Sequence, residues 1–336
     1  MPLLFITHEA YLDHIAGERH PERPARLAAV LAGARGADVI DGLIPVSPRA
    51  ATRLELERIH DPAYLDRIEA TVAAGGGYLD PDTAASPGSW TAVTLGAGAG
   101  LTAIESLDRG DGGASAAFCA VRPPGHHATP DQAMGFCLIS NVAVAAAHLV
   151  ERGERVAIVD YDAHHGNGTQ AAFYADPRVL YVSLHQWPLY PGTGWYDETG
   201  EGAGRGTTLN VPLPPGATGD VYLRAFDELI GPAITGFGAT WLIISAGFDA
   251  HRFDPITDLG LSSHDYALLT RRLTALVPAG RQLIMLEGGY DLDALTMSTA
   301  AVLGSLLDQP CQAEEPTSGG AGQRRLDEVI AAWAEA

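Results

Sequence analysis

The 336 residues carry 41 acidic against 21 basic side chains, a formal net charge of −20, with 46% hydrophobic and 18% charged residues. Such a composition is globular, at a length that suits one large α/β domain or two ordinary ones. So acidic a surface repels phosphate backbones, which argues against a nucleic-acid ligand; it suits cationic substrates such as basic peptide tails or polyamines, although the plainer reading is the general acidity of many cytoplasmic bacterial-type proteins.

Residues 3–7 read as a short apolar strand running into His8 and a proline-rich loop over 17–26, ahead of a helix over 27–34. Residues 54–59 and 63–73 read as helical pieces broken at Pro62, and 75–88 as a loop rich in Gly, Pro and Asp. The helix over 91–107 repeats small residues at helical spacing, which predicts close packing. From residue 114 the chain alternates. Strands are expected at 114–121, 156–160, 179–185, 208–213, 241–246 and 282–286, with helices at 141–152, from 169, and at 222–229, 265–276 and 292–307. Alternation of this kind predicts an α/β fold with one mostly parallel sheet and helices on both faces. A domain of residues 1–310 is expected, followed over 311–336 by a polar spacer and a short amphipathic helix that docks. Three cysteines (119, 137 and 311) show no zinc-type spacing, and neither a leader-like start nor a membrane-length apolar run is present. A cytoplasmic protein away from the membrane is the expectation, with a homo-oligomer open.

The stretch V-A-I-V-D-Y-D-A-H-H-G-N-G-T-Q at 156–170 organises the rest. Its first half is a strand buried on both faces, and its second half delivers polar groups at the strand's carboxyl end, where open α/β sheets place their sites. Side chains alternate along a strand, so Asp160, Asp162 and His164 share a face. Further clusters follow other strands: His126-His127, Ser183 to His185, Asp249 to His251, and Glu287 to Tyr290. Five such clusters on one sheet edge define a pocket.

Asp162, His164 and Asp249 can supply three zinc ligands with a position left open. Zinc there acidifies a water and polarises a carbonyl. His126 and His127 can divide the base and acid roles, with Asp160 and Asn167 as partners for their second nitrogens. A carboxylate partner raises a histidine's basicity more than a neutral amide, so the pair should titrate apart. Tyr290, behind Gly288-Gly289, can donate to a developing oxyanion.

These residues carry a resemblance. H-P-E-R-P-A-R (20–26), R-P-P-G-H-H-A (122–128), M-G-F-C (134–137), D-Y-D-A-H-H-G-N-G-T-Q (160–170), Y-V-S-L-H (181–185), Y-P-G-T-G (190–194), S-A-G-F-D-A-H (245–251) and L-E-G-G-Y-D-L (286–292) occur in order. The chain resembles the histone deacetylase family, of the class II-like bacterial type that includes acetylpolyamine amidohydrolases, on the arginase/deacetylase fold. The resemblance implies zinc on Asp162, His164 and Asp249, a His126–Asp160 and a His127–Asn167 pair, and Tyr290 as donor to the substrate carbonyl. It further implies Phe136 and Tyr190 as walls of an acyl-lysine tunnel, Gly135 as acceptor of the substrate amide, and Arg26 on an acetate-release channel. Tyr190 departs from the Phe usual in the family. Asp82 is the expected grip on the substrate backbone at the rim. A structural potassium is implied at Asp160, Asp162, His164, Ser183 and Leu184, and a second near Phe173 and Val179.

The outer histidines read as structural: His185 as a satisfied strand-end residue, His251 as a residue behind the ligands or at the rim, and His8, His14 and His20 as structural or shaping the pocket mouth. His60 and His264, before or at helix starts, read as surface residues. The expected activity is zinc-dependent hydrolysis of an N-acyl amide, on acetylated lysine in peptide or protein or on an acetylated polyamine or other small amine. Ile256, apolar after Asp254-Pro255, disfavours the polyamine version that uses an acidic gatekeeper. A two-manganese ureohydrolase needs more Asp ligands and does not use a His pair. A silent acyl-lysine binder is disfavoured by Tyr290 and the full ligand set.

Overall fold

The computed structural model describes residues 1–36, 39–309 and 314–335. Pro310 and Cys311, at the expected domain boundary, lie outside the described residues. In chain order the elements begin β1 (Leu3–Ile6), α1 (Ala25–Ala34), β2 (Leu43–Val46), α2 (Arg53–Leu56), α3 (Pro62–Ala73), β3 (Gly77–Asp80), β4 (Thr83–Ala85), α4 (Ser89–Arg109) and β5 (Ala116–Cys119). They continue α5 (Asn141–Glu151), β6 (Val156–Asp160), α6 (Asn167–Phe173), β7 (Val179–Gln186), β8 (Thr208–Leu213), α7 (Gly219–Ala225) and α8 (Gly231–Phe237). Last come β9 (Trp241–Ala246), α9 (Ser263–Thr274), β10 (Gln282–Leu286), α10 (Leu292–Leu307) and α11 (Gln323–Glu335).

Eight strands form one parallel sheet in the order β2-β1-β5-β10-β9-β6-β7-β8. The strands of its centre are fully buried apolar runs, as a parallel sheet covered on both faces requires. Helices α4 and α5 pack on each other and on the central strands, while α1, α10 and α9 form a second packed series. This is the α/β sheet with flanking helices that the alternation predicted.

Two expectations need correction. The segment 75–88 is not all loop, because β3 and β4 form an antiparallel hairpin within it. Its composition hides this, since neither strand shows a clean apolar alternation. His60 is not a surface residue. It is 1% exposed, with Nδ1 against the Thr129 carbonyl and Nε2 accepting from the Ser140 N–H. An edge strand, β2, also escaped the sequence reading; it is only half-buried and contains Pro45. Helix α11 packs on β8 and α7 through buried Leu326 and Val329.

Candidate active site

The strand order places four loops side by side, because β5, β10, β9 and β6 are consecutive neighbours. Each contributes one part at its carboxyl end: His126 and His127 after β5, Tyr290 after β10, Asp249 after β9, and Asp162 with His164 after β6. Sequence separation of more than 160 residues is thereby collapsed into a single site.

Asp162, His164 and Asp249 are buried, and one donor atom from each lies within 4.8 Å of the others. The His164 Nδ1 is 3.1 Å from Asp162 Oδ1 and 3.2 Å from Asp249 Oδ2. Burial opposes a charge on His164, but the two carboxylates outweigh it and lift its pKa to about 10. Two buried carboxylates converging on one imidazole fit a divalent cation, and the donor set of one nitrogen and two oxygens is of the zinc type. The carboxylates are themselves fixed: Gly288 N–H donates to Asp162 Oδ2 (2.8 Å) and Ala163 N–H to Asp249 Oδ1 (2.7 Å).

The two histidines lie with ring centroids 4.1 Å apart. His126 Nδ1 meets Asp160 Oδ2 at 3.0 Å, and His127 Nδ1 meets Asn167 Oδ1 at 2.8 Å. Burial alone would lower both. In His126 the Asp162 and Asp160 carboxylates override it and hold the pKa well above the ordinary value. In His127 burial prevails, reinforced by the neighbouring His126 and His164, and the pKa falls well below. The pair therefore titrates apart, one proton-rich and one proton-poor.

A pocket of about 250 Å³ opens onto this constellation, lined by Asp82, His127, Gly135, Phe136, His164, Tyr190, Ile256 and Tyr290. Tyr190 stands edge-on to His127, and Phe136 edge-on to Tyr290. Phe136 sits at φ 67°, a left-handed conformation unusual for an aromatic residue. It is held there from the β3–β4 hairpin, by Thr83 Oγ1 accepting the Phe136 N–H and Asp82 Oδ1 accepting the Gly135 N–H. A side chain on Gly135 would run into the His127 ring, so glycine is required. His20 packs edge-on to Phe136 at 4.5 Å, which makes it a pocket-shaping residue. Burial pushes the Tyr290 phenol well above its ordinary pKa, so it is a protonated donor.

Arg26 is wholly buried and donates to the carbonyls of Gly289 (2.6 Å) and Glu287 (2.5 Å), bracing the loop before Tyr290. Asp160 also accepts from the Asp162 N–H, and Ser183 Oγ bonds His185 Nδ1. Leu184 is buried beside them on β7. The Phe173 carbonyl takes the Asp176 N–H, and Val179 opens β7. His185, bonded at both nitrogens, is a satisfied structural residue, and His251 is taken up by Glu314.

The sequence reading named Glu287 and Asp254 but assigned neither a role. Glu287 Oε2 accepts from the N–H groups of Gly125 (2.6 Å) and His126 (3.1 Å), clamping the turn that carries the histidine pair. Asp254 accepts from Ile256, Tyr290 and Asp291, tying a pocket wall to the tyrosine loop. Both act on main-chain donors, which leave no residue-type signature.

The chain is similar to known proteins along most of its length. Residues 20–306 match the model of the histone deacetylase domain. A probable deacetylase of Archaeoglobus fulgidus is 38% identical over 308 residues, covering 90% of this chain and 85% of that protein. A histone deacetylase-like amidohydrolase of Pseudomonas aeruginosa is 42% identical over 246 residues, covering 70% of this chain and 63% of that protein. The crystal structure of the HDA15 HD domain superposes with a TM-score of 0.90 at 36% identity, covering 99% of this chain and 95% of that one.

Proposed function

Because the chain belongs to the histone deacetylase family, whose members include deacetylases and amidohydrolases, we propose that it hydrolyses the acetyl amide of a lysine side chain or of a related amine in a zinc-dependent reaction. One observation carries the reading. The pocket with aromatic walls ends where His164, His127 and Tyr290 meet, so an acyl group entering it reaches ligand, base and donor together.

Zinc on Asp162, His164 and Asp249 would supply Lewis acidity toward the carbonyl and lower the pKa of the attacking water. The chain's own groups handle the protons. His127 lines the pocket and its Nδ1–H is engaged by Asn167, which leaves Nε2 unprotonated to take the proton of the attacking water. The same nitrogen then returns that proton to the leaving amine as the C–N bond breaks, giving carboxylic acid and amine, which leave as carboxylate and ammonium once the acid proton passes to the amine. His126, kept cationic by Asp160, offers positive charge behind the reacting centre. Tyr290 donates its phenolic hydrogen to the carbonyl oxygen as negative charge develops there. Gly135 would accept the substrate amide, Asp82 would hold its backbone, and Arg26 would attend the departing acetate. Potassium would be held by Asp160, Ser183 and the carbonyls of Asp162, His164 and Leu184, and a second ion near Phe173 and Val179. The free, buried thiols of Cys119 and Cys137 support a reducing, cytoplasmic location. Among the described residues no helix is long and apolar enough to cross a membrane.

The test is turnover of an acetyl-lysine peptide beside N-acetylputrescine and N-acetylspermidine, with wild type, Tyr290→Phe and metal-stripped protein. Turnover that falls on the order of 10²-fold or more in Tyr290→Phe, and is restored to stripped protein by zinc, is expected. Full activity in either control overturns the mechanism, and the preferred substrate decides between protein and polyamine. Apolar Ile256 in the pocket wall favours the acyl-lysine substrate.

A further inference from the structure

A second set of ligand-type groups lies beside the Asp162–His164–Asp249 triad and shares His126 with the histidine pair. His126, Cys137 and Glu287 are all buried, and one donor atom from each falls within 4.8 Å of the other two. Each is also prepared as metal ligands are. His126 has its Nδ1 committed to Asp160, the carboxylate–histidine arrangement that leaves Nε2 as a ligand nitrogen. Glu287 has Oε2 committed to two main-chain N–H groups, while Oε1 is buried with no partner at all. An orphaned buried carboxylate oxygen is costly to leave unmade, and here it points to something that binds it. The Cys137 thiol is in no disulfide and donates a hydrogen bond to the Gly135 carbonyl at 3.3 Å, which binding would replace.

We propose that His126, Cys137 and Glu287 form a second, inhibitory binding site for a soft divalent cation such as zinc. One nitrogen, one thiolate and one carboxylate oxygen leave a fourth tetrahedral position open for water. Tetrahedral zinc sets such ligand atoms about 3.3–3.8 Å apart, so the trio closes on the ion by small side-chain movements. Binding releases the Cys137 thiol proton and the proton that a cationic His126 carries on Nε2. Arg26, the nearby guanidinium, is turned onto the carbonyls of Glu287 and Gly289 and onto Glu22 rather than into the trio. The His126 Nε2 lies 3.8 Å from Asp162, so a cation here sits close to one held by the first triad. Repulsion between the two makes this the weaker site, filled after the first. Once filled, it ties up Nε2 of His126, which faces Asp162 and the reacting centre, and so removes that residue from the proposed reaction.

The experiment is a cobalt titration of the full chain, read by absorption and by activity. The first equivalent should show only ligand-field bands of nitrogen and oxygen donors. A second should add the intense near-ultraviolet thiolate-to-cobalt charge-transfer band, with activity falling on the order of 10²-fold as it grows. In Cys137→Ser the band should be absent, and the inhibition relative to that variant's own one-equivalent activity should be lost. In Glu287→Gln the band should need higher cobalt. Protein that lacks a second binding event, a band that persists in Cys137→Ser, or inhibition unchanged in both variants overturns the proposal. The activity arm rests on the proposed deacetylation, whereas the spectroscopic arm stands even if no acetylated substrate is turned over. Should Cys137→Ser fail to fold, protection of the Cys137 thiol from alkylation in wild type by the second equivalent, and not by the first, decides the matter.

Discussion

Asp254 binds no substrate, yet its single carboxylate spans two walls of the pocket. Oδ1 takes the Ile256 N–H at 3.2 Å, while Oδ2 takes the Tyr290 N–H at 2.7 Å and that of Asp291 at 3.3 Å. Burial, then the nearby Asp249, lift its pKa to about 7, so these hydrogen bonds are needed to keep the carboxylate form. A phenol aimed at a developing oxyanion loses its value when its loop drifts by a fraction of an ångström. Asp254→Ala is therefore expected to lower kcat by roughly 10–10²-fold with a smaller change in KM, since the pocket walls Phe136 and Tyr190, proposed to bind the acyl group, are held by other contacts. Asp254→Asn keeps one acceptor oxygen for the Tyr290 N–H and should recover much of that loss. Steady-state kinetics of the two variants check this. Equal losses in both would show that charge, and not loop position, is what Asp254 provides.

Helix α4 owes its place to residues that have no side chain. A Cβ added at Gly98 would lie 2.7 Å from the Ala51 nitrogen and 2.9 Å from the Ala50 carbonyl carbon, so the loop at 49–51 lies directly on the helix backbone. The Ala51 N–H donates to the Thr94 carbonyl at 2.8 Å and locks that contact. Gly98→Ala gains about 1 kcal/mol of helix propensity, but backbone is what the methyl would strike, and backbone cannot rotate away. We expect a net loss of about 1–3 kcal/mol, read as a lowered denaturant midpoint at unchanged slope. His60 joins elements in a different way, bridging the start of α3 to the loop before α5. Burial lowers its pKa to about 4 against an ordinary 6.5, so the unfolded chain binds the extra proton between those values. Its contribution, on the order of 3 kcal/mol, is complete above pH ~6.5 and is lost as pH falls toward 4. His60→Gln should flatten that part of the stability–pH curve, as chemical denaturation at several pH values would show. The small-residue spacing of α4 was legible in the sequence because it repeats on one helix. So was β6, whose apolar run ends in ligand-type residues. The partners of His60, Asp254 and Glu287 were not, since they are main-chain groups that only the strand order brings near. Edge strand β2 and the β3–β4 hairpin left too little apolar patterning to read.

At the scale of the molecule the dominant quantity is the net charge of −20. Part of that charge is local to the pocket. Asp82 lines it, and Asp80 nearby on the hairpin has its pKa raised by burial and by the Asp82 carboxylate, the signature of acidic groups crowded together. A cationic substrate of the proposed kind would thus be drawn both by the whole surface and by the mouth. Screening separates this long-range attraction from the chemistry. Between ~0.01 and ~0.15 M salt the Debye length shrinks from about 30 to about 8 Å, which removes the field of the distant surface but hardly touches contacts inside a buried site. For N-acetylspermidine or a lysine-rich acetylated peptide, kcat/KM should fall by about tenfold over that range. For an acidic acetylated peptide it should stay level or rise, while kcat changes little for either, because His127, His126 and Tyr290 are buried from solvent. Parallel salt series on the two substrates make the measurement. An equal response in both would mean that the surface charge serves solubility alone and that substrate choice is made entirely within the walls formed by Phe136, Tyr190 and Ile256.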